Sequence, residues 1–394
     1  MKKDTKVIRA GLNKKRNAGV VNTPVVRAST VVFETLAAMR DADERVLKKN
    51  EKVLYYGRRG TPTHWTLQEA ITDLAGGADT VLAPSGLGAC TLAVLGCVKT
   101  GDHVLVTDSV YGPTRSFFDG FLKNLGVEVT YYDPLIAGGI AALFKSNTTL
   151  VFCESPGSLT FEVQDLPAIS AAAHKHGAKV AVDNTWGTPL FSKPLELGAD
   201  LSIEAGTKYI VGHSDALIGT ITGTAEAIKG VQKASGALGI AVSPDDVYLA
   251  TRGLRTLSVR LHQHEKSALK VAKWLQTRAE VDRVLYPPLP DDPGHALWKR
   301  DFTGACGLLG VVFARTSQAA VEAFIEGLEL FPLGFSWGGF ESLIAPVSAA
   351  AVTRTAKPWT APLPGIRLHI GLEDADDLIE DLEKGFARFR KALG

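Results

Sequence analysis

Residues 179–219 read KVAVDNTWGTPLFSKPLELGADLSIEAGTKYIVGHSDALIG, with two short β-branched runs, KVAVDN and LSIEA, each opening onto a polar, glycine-bearing stretch. Runs of this length bounded by turn residues are strand signals. Working outward, ALIGTITG (216–223) gives a further strand on the C-terminal side. On the N-terminal side, TLVFCES (149–155), EVTYYD (128–133), HVLVTD (103–108) and TVLAP (80–84) give four more. Between them SGLGACTLAVLGCVKTG (85–101) and DLPAISAAAHKHG (165–177) read as helices, the second with Asp165 as N-cap, Pro167 in its first turn and Gly177 as its stop. Strands alternating with helices predict an α/β fold on a mostly parallel sheet.

After about residue 245 the texture changes. Residues 243–280 predict a long helix interrupted at Gly253, followed by the Pro-rich turn YPPLPDDPGH (286–295) and strands at GLLGVVFA (307–314) and IRLHIGL (366–372). The last helix, from about Asp374, places Leu378, Leu382, Phe386, Phe389 and Leu393 on one stripe. These patterns predict an arm at 1–60, a large α/β domain at 61–245 and a smaller α/β domain at 246–394. The basic N-terminus, MKKDTKVIRAGLNKKRNAG, has no apolar stretch after its charges, so it reads as an arm lying on a surface, its own or a partner subunit's, and not as a secretory signal.

The 394 residues carry 43 basic and 42 acidic side chains, a net charge of +1, which argues against nucleic acid as a principal partner. A 45% hydrophobic and 22% charged composition is that of a folded globular chain. No apolar run reaches the roughly 18 residues of a membrane span. Cys90, Cys97, Cys153 and Cys306 form neither a Cys-x-x-Cys pair nor a disulfide framework, so a reducing cytoplasm is expected, with Cys90 and Cys97 as core residues. His262 and His264, two apart on a predicted helix, point to different faces and are expected at the surface or an interface; no metal site is predicted.

The chemistry begins at Lys208. It follows a strand and has apolar strands on both sides, which predicts a partly buried amine driven towards its neutral, nucleophilic form. Such an amine forms Schiff bases. Asp183 ends another strand, where ligands of parallel sheets sit; alone it also reads as an Asx-turn cap. A lysine and an aspartate so placed suit pyridoxal phosphate, whose pyridine nitrogen takes an acidic partner. The Ser85-Gly86-Leu87-Gly88 turn, between a strand and a helix, would cradle its phosphate. It lacks the third glycine of a dinucleotide fingerprint and the Gly-Lys-Ser/Thr of a P-loop, so an NAD-dependent dehydrogenase is disfavoured. Tyr56-x-Arg58 offers a hydroxyl and a guanidinium to one phosphate, or is a solvated loop cluster. Tyr111 after HVLVTD could lay its ring on a planar cofactor, or fill the core.

Together these residues resemble the transsulfuration family of pyridoxal-phosphate enzymes, of fold type I, over nearly the whole chain. The resemblance rests on Tyr56-x-Arg58, the turn at 86–88, Tyr111, Asp183-Asn184-Thr185, Thr207-Lys208-Tyr209, Gly212-His213-Ser214-Asp215 and Arg367. Phe335-Ser336-Trp337-Gly338 is similar to the bacterial β-lyase branch, where γ-specific members carry Glu-Ser-Leu-Gly. Ala205 stands where many γ-branch members have a phosphate-binding serine, so Thr207 and the glycine turn are expected to supply more of that grip. The resemblance implies a carbon–sulfur β-lyase of methionine biosynthesis, cleaving L-cystathionine to homocysteine, pyruvate and ammonia. Within the family a cysteine desulfhydrase or a γ-lyase are the alternatives. Lys208 would hold the cofactor and move the Cα proton, and Asp183 would face the pyridine. Gly86, Leu87 and Thr207 would bind phosphate, Tyr111 would stack on the ring and assist proton transfer, and Arg367, Ser336 and Trp337 would bind the substrate carboxylate end. Tyr56 and Arg58 would reach a neighbouring subunit's phosphate, which implies a homo-oligomer, a tetramer built from dimers with shared sites.

Overall fold

A computed structural model describes all of residues 1–394. The larger sheet has seven strands: β1 (Asp79–Ala83), β2 (His103–Thr107), β3 (Glu128–Tyr132), β4 (Thr148–Glu154), β5 (Lys179–Asp183), β6 (Leu201–Glu204) and β7 (Gly219–Gly223). Their order is β1-β7-β6-β5-β4-β2-β3. β7 runs antiparallel to both of its neighbours and every other pairing is parallel. Consequently β1, β2, β4, β5 and β6 all point their carboxyl ends to the same edge of the sheet. The central strands are buried on both faces, with Leu150, Val151, Phe152 and Cys153 of β4 at 0% exposure, as strands covered by helices on both sides must be.

The predicted helix at 85–101 is Gly86–Leu95, capped by the Ser85 hydroxyl, which accepts the Gly88 N–H. The helix predicted at 165–177 is Leu166–Lys175; Asp165 caps it, and Gly177 sits at φ +75° just past its end. Residues 243–280 form two helices, Pro244–Leu254 and Leu257–Leu275, separated at Arg255 and Thr256. Gly253 lies just before the break, and a Cβ there would sit 2.1 Å from the Val211 carbonyl oxygen, so glycine is required for contact more than for bending.

A second sheet of four antiparallel strands comprises β8 (Val281–Leu285), β9 (Leu308–Phe313), β10 (Leu343–Val347) and β11 (Gly365–His369), in the order β10-β11-β9-β8. β9 and β11 fall where strands are predicted. β8 and β10 are additions: VDRVL is too polar to announce a strand, and LIAPV carries Pro346, which an edge strand tolerates. The last helix, Ala375–Leu393, buries Leu378, Leu382, Phe386 and Phe389 completely, and Leu393 only in part. Phe389 stacks on Phe313 of β9 at 4.6 Å between ring centroids.

The first ten residues dock on their own chain. Val7 of the helix Lys3–Arg9 is fully buried, and Arg255 Nη1 donates to the carbonyls of Val7, Ile8 and Ala10. From there to residue 56 the chain exposes Val20, Val21, Val32, Leu36, Met39, Leu47, Leu54 and Tyr56. His264 corrects an expectation. It is not at the surface but fully buried, its Nδ1 on the Ile370 carbonyl and its ring against Tyr209 and His369, because that face of its helix packs on the smaller sheet. His262, on the other face, is exposed.

Candidate active site

The common edge of the larger sheet opens into a cavity of about 240 Å³, lined among others by Ser85, Gly86 and Leu87 after β1, Tyr111 after β2, Glu154 at the end of β4 and Asp183 at the end of β5. Thr207 and Lys208 follow β6 and complete that side. The opposite side is formed by Phe335, Trp337 and Arg367, the last on β11. Parallel strands put the loops that follow them in one place, which is why residues as far apart in sequence as Ser85 and Lys208 converge.

Lys208 is half-buried. Its Nζ donates to the Ser336 hydroxyl at 2.8 Å and stands 5.3 Å from the Trp337 ring. Burial first, then the charge of Arg367, pushes its amine down to about 8, with Asp183 pulling the other way. The amine is therefore far more easily deprotonated than an ordinary lysine, in the direction that the apolar flanks predict, although most of it still carries its proton at pH 7.

Asp183 realises both of its predicted readings. Its Oδ1 accepts the Thr185 N–H at 3.0 Å, an Asx turn, and the Thr185 hydroxyl at 2.5 Å, while its Oδ2 receives the Cys90 thiol at 3.5 Å. The Thr185 hydroxyl in turn accepts the Ala205 N–H at 2.8 Å, tying the aspartate to the lysine loop. Asp183 is buried and forms no ion pair, and burial raises its pKa above the ordinary carboxylate value. A buried carboxyl with no cation paired to it calls for one from a ligand. The protonated nitrogen of a pyridine ring fits that demand, and Lys208 and the glycine turn fit the rest of pyridoxal phosphate.

At the turn, Gly86 and Leu87 are the first residues of their helix, so their N–H groups have no carbonyl within it to bond. The Gly88 N–H is taken by Ser85 Oγ at 3.0 Å. Gly86 also allows a close approach, since a Cβ there would lie 2.4 Å from that of Ala205. Thr207 reaches the cavity, but its hydroxyl donates to the Ile218 carbonyl at 3.2 Å and accepts the Ile218 N–H at 3.0 Å. Arg367 Nη2 donates to the carbonyls of Gly334, Phe335 and Ser336, at 3.0 Å for Phe335. Tyr111 is 45% exposed at the mouth and is not a core residue.

Tyr56 and Arg58 are not brought to this cavity. Both are exposed, and Arg58 Nη1 reaches the Gly236 carbonyl at 3.4 Å. Conversely, Cys90, Glu154 and Trp186 line the cavity although the sequence does not mark them as site residues, and Ser85 and Thr185, which it names only as members of motifs, line it as well. Cys90 had read as core, and it is buried, but against Asp183. Glu154 was legible only as the end of an apolar strand.

A mostly parallel sheet whose strand ends gather a depressed lysine and an uncompensated aspartate defines the class of fold type I pyridoxal-phosphate enzymes. Residues 4–387 match the family described as Cys/Met metabolism PLP-dependent enzyme, and the chain belongs to it. A relative in Rhizobium johnstonii is 52% identical over 94% of this chain and 92% of its own length. Cystathionine β-lyase MetC of Escherichia coli is 44% identical over 98% of both chains. Among solved structures, a cystathionine γ-synthase from Xanthomonas oryzae pv. oryzae, in complex with aminoacrylate and cysteine, superimposes with a TM-score of 0.89 at 33% identity, covering 100% of this chain and 99% of that one. No helix is long and apolar enough to cross a membrane.

Proposed function

We propose that the enzyme cleaves L-cystathionine at its Cβ–S bond, consuming water and giving homocysteine, pyruvate and ammonia, as a step of methionine biosynthesis in the cytoplasm. The observation that carries this reading is the convergence of Lys208, Asp183 and Arg367 on one cavity beside Trp337. Relatives named cystathionine β-lyase, 44% identical over 98% of the chain, support the substrate.

Gly86 and Leu87 donate their N–H groups to the cofactor phosphate, with the Ser85 hydroxyl beside them. Thr207 adds a hydroxyl only if its proton leaves the Ile218 carbonyl. Asp183 pairs with the pyridine nitrogen, and Tyr111 covers the ring. Bound pyridoxal phosphate supplies the sink for the electron pair left at Cα. Arg367 keeps Nη1 and Nε for the substrate α-carboxylate, a charge-assisted contact worth roughly 1.5–3 kcal/mol. Ser336, already bonded to Lys208, and Trp337 shape the carboxylate end of the pocket. Lys208 Nζ takes the Cα proton, and Tyr111 stands at the mouth where the sulfur leaves.

Tyr56 and Arg58 serve the site of a second copy. The exposed apolar run from Val20 to Tyr56 supports a homo-oligomer with shared sites, a tetramer built from dimers. The working units are the arm 1–60, the cofactor domain 61–245 and the domain 246–394 that delivers Arg367. The test is product analysis with L-cystathionine: pyruvate and homocysteine in equal amounts are expected. Predominant 2-oxobutyrate would move the enzyme to γ-cleavage.

A further inference from the structure

The cavity holds a second carboxyl that none of these steps uses. Glu154 ends β4 directly opposite Asp183 in the parallel register with β5. It forms no ion pair, and the one hydrogen bond of its side chain runs from the backbone N–H of Tyr111 to Oε2, at 2.6 Å. Burial holds this carboxyl well above the ordinary range and the neighbouring Asp183 adds to that, while the Tyr111 N–H and the more distant Arg354 oppose it. The residue keeps part of its surface at the cavity, and desolvating the rest of its carboxyl is costly, so its single partner matters.

Tyr111 has few other anchors. Its phenol makes no hydrogen bond within the chain, and its carbonyl accepts only the Arg115 N–H, at 2.9 Å, in the turn that starts the short helix Gly112–Ser116. The strand behind Glu154 is fully buried from Leu150 to Cys153 and paired on both sides, so it is among the stiffest parts of the chain. The Glu154–Tyr111 bond spans 43 residues of sequence and joins that stiff strand to an exposed loop.

We propose that Glu154 is the positioning residue for Tyr111, its carboxyl fixing the backbone of the loop and thereby the height at which the phenol ring covers the cofactor and faces the leaving sulfur. The catalytic part of this inference rests on the role of Tyr111 proposed above; the positioning part does not. Scaffold elements hold functional side chains better than loops do, and here a strand end lends that precision to a loop residue.

The first arm of the test is hydrogen–deuterium exchange of the segment 109–117 in cofactor-free protein. Glu154→Leu removes the acceptor and should speed exchange about 2- to 10-fold, whereas Glu154→Gln keeps an acceptor oxygen and should stay within about twofold of wild type. Glu154→Ala takes the place of the leucine variant if that one does not fold. The second arm is a mutant cycle in the holoenzyme. Glu154→Leu should lower kcat/KM with cofactor content unchanged, Gln should rescue it, and the effect should vanish in a Tyr111→Ala background. Unchanged exchange in the leucine variant overturns the positioning claim whatever the enzyme's substrate proves to be. A full additional loss in the Tyr111→Ala background overturns the claim that Glu154 acts through Tyr111.

Discussion

The two walls of the cavity are built differently. The wall from the larger sheet consists of strand ends: Asp183 is buried and held by three side-chain and main-chain donors, and Lys208 follows β6 directly. The opposite wall joins a loop, which carries Phe335 and Trp337, to Arg367 on β11 of the smaller sheet. Phe335 is 95% exposed, and Arg367 is steadied chiefly by loop carbonyls. The strand ends set pKa and hold groups rigidly, which suits the bond-making chemistry. The loop presents side chains whose surroundings can change at little cost to the core, which suits selection among substrates. Substitutions on the first wall should therefore appear in kcat, and those on the second chiefly in KM.

Lys208→Ala should be the most damaging change, lowering kcat on the order of 10⁴-fold or more, since it removes both the cofactor's covalent anchor and the base. A residual activity within tenfold of wild type would end the assignment. The depressed amine adds a pH signature: capture of free cofactor by cofactor-free wild-type protein should accelerate as pH rises through about 8, where Lys208 loses its proton. Asp183→Asn comes next. An opposite charge at ~4 Å and an effective dielectric of about 20 is worth roughly 4 kcal/mol, so kcat should fall about 10³-fold. The cofactor's absorption should shift towards that of an unprotonated pyridine.

Arg367→Ala tests the loop wall. Losing a charge-assisted contact of about 1.5–3 kcal/mol should raise KM roughly 10- to 150-fold, with kcat affected less. A fall confined to kcat would erase the distinction between the walls. Trp337→Ala should move KM less than Arg367→Ala, because the indole contributes shape and not a paired charge. Its effect should also depend on the sulfur substituent, which parallel assays on cystathionine, cystine and cysteine would show.

The same contrast explains what could be read from sequence. All seven strands of the larger sheet were legible because each is a short run rich in β-branched or apolar residues bounded by turn residues. Lys208, Asp183 and Gly86 were legible because Asp183 ends such a run and the other two lie in the loops that follow one. Glu154 also sits there, but VFCES resembles any strand end, and its importance comes from β4 lying in register with β5, a pairing that no local pattern encodes. Cys90 looks like core from its helix and becomes a partner of Asp183 only through the packing of that helix on the sheet. In the smaller sheet, Pro346 hid β10, and the burial of His264 depends on β11, more than a hundred residues away. Tyr56 and Arg58 were marked by spacing, yet the fold of one chain leaves them outside the cavity.

Glu204 offers the smallest effect and the sharpest control on the strand-end wall. It ends β6 but does not line the cavity; its Oε1 accepts from Asn184 Nδ2 at 3.2 Å and from the Ser202 hydroxyl at 3.0 Å. Burial pushes its pKa up to about 8, opposed by those two hydrogen bonds. At neutral pH it is therefore mostly protonated in the folded chain, whereas an unfolded glutamate is ionised. Between the ordinary carboxylate range and pH 8 the folded state binds the extra proton, so stability from this group falls as pH rises through that window. Glu204→Gln removes the titration while keeping the size and an acceptor oxygen. Its melting temperature should match wild type near pH 5 and exceed it at pH 8.5, by a few degrees, with kcat/KM at pH 7 within about twofold of wild type. A melting difference that does not change with pH would show that Glu204 is ionised in the folded chain. A large loss of kcat would show that strand-end acids act on the chemistry even when turned away from the cavity.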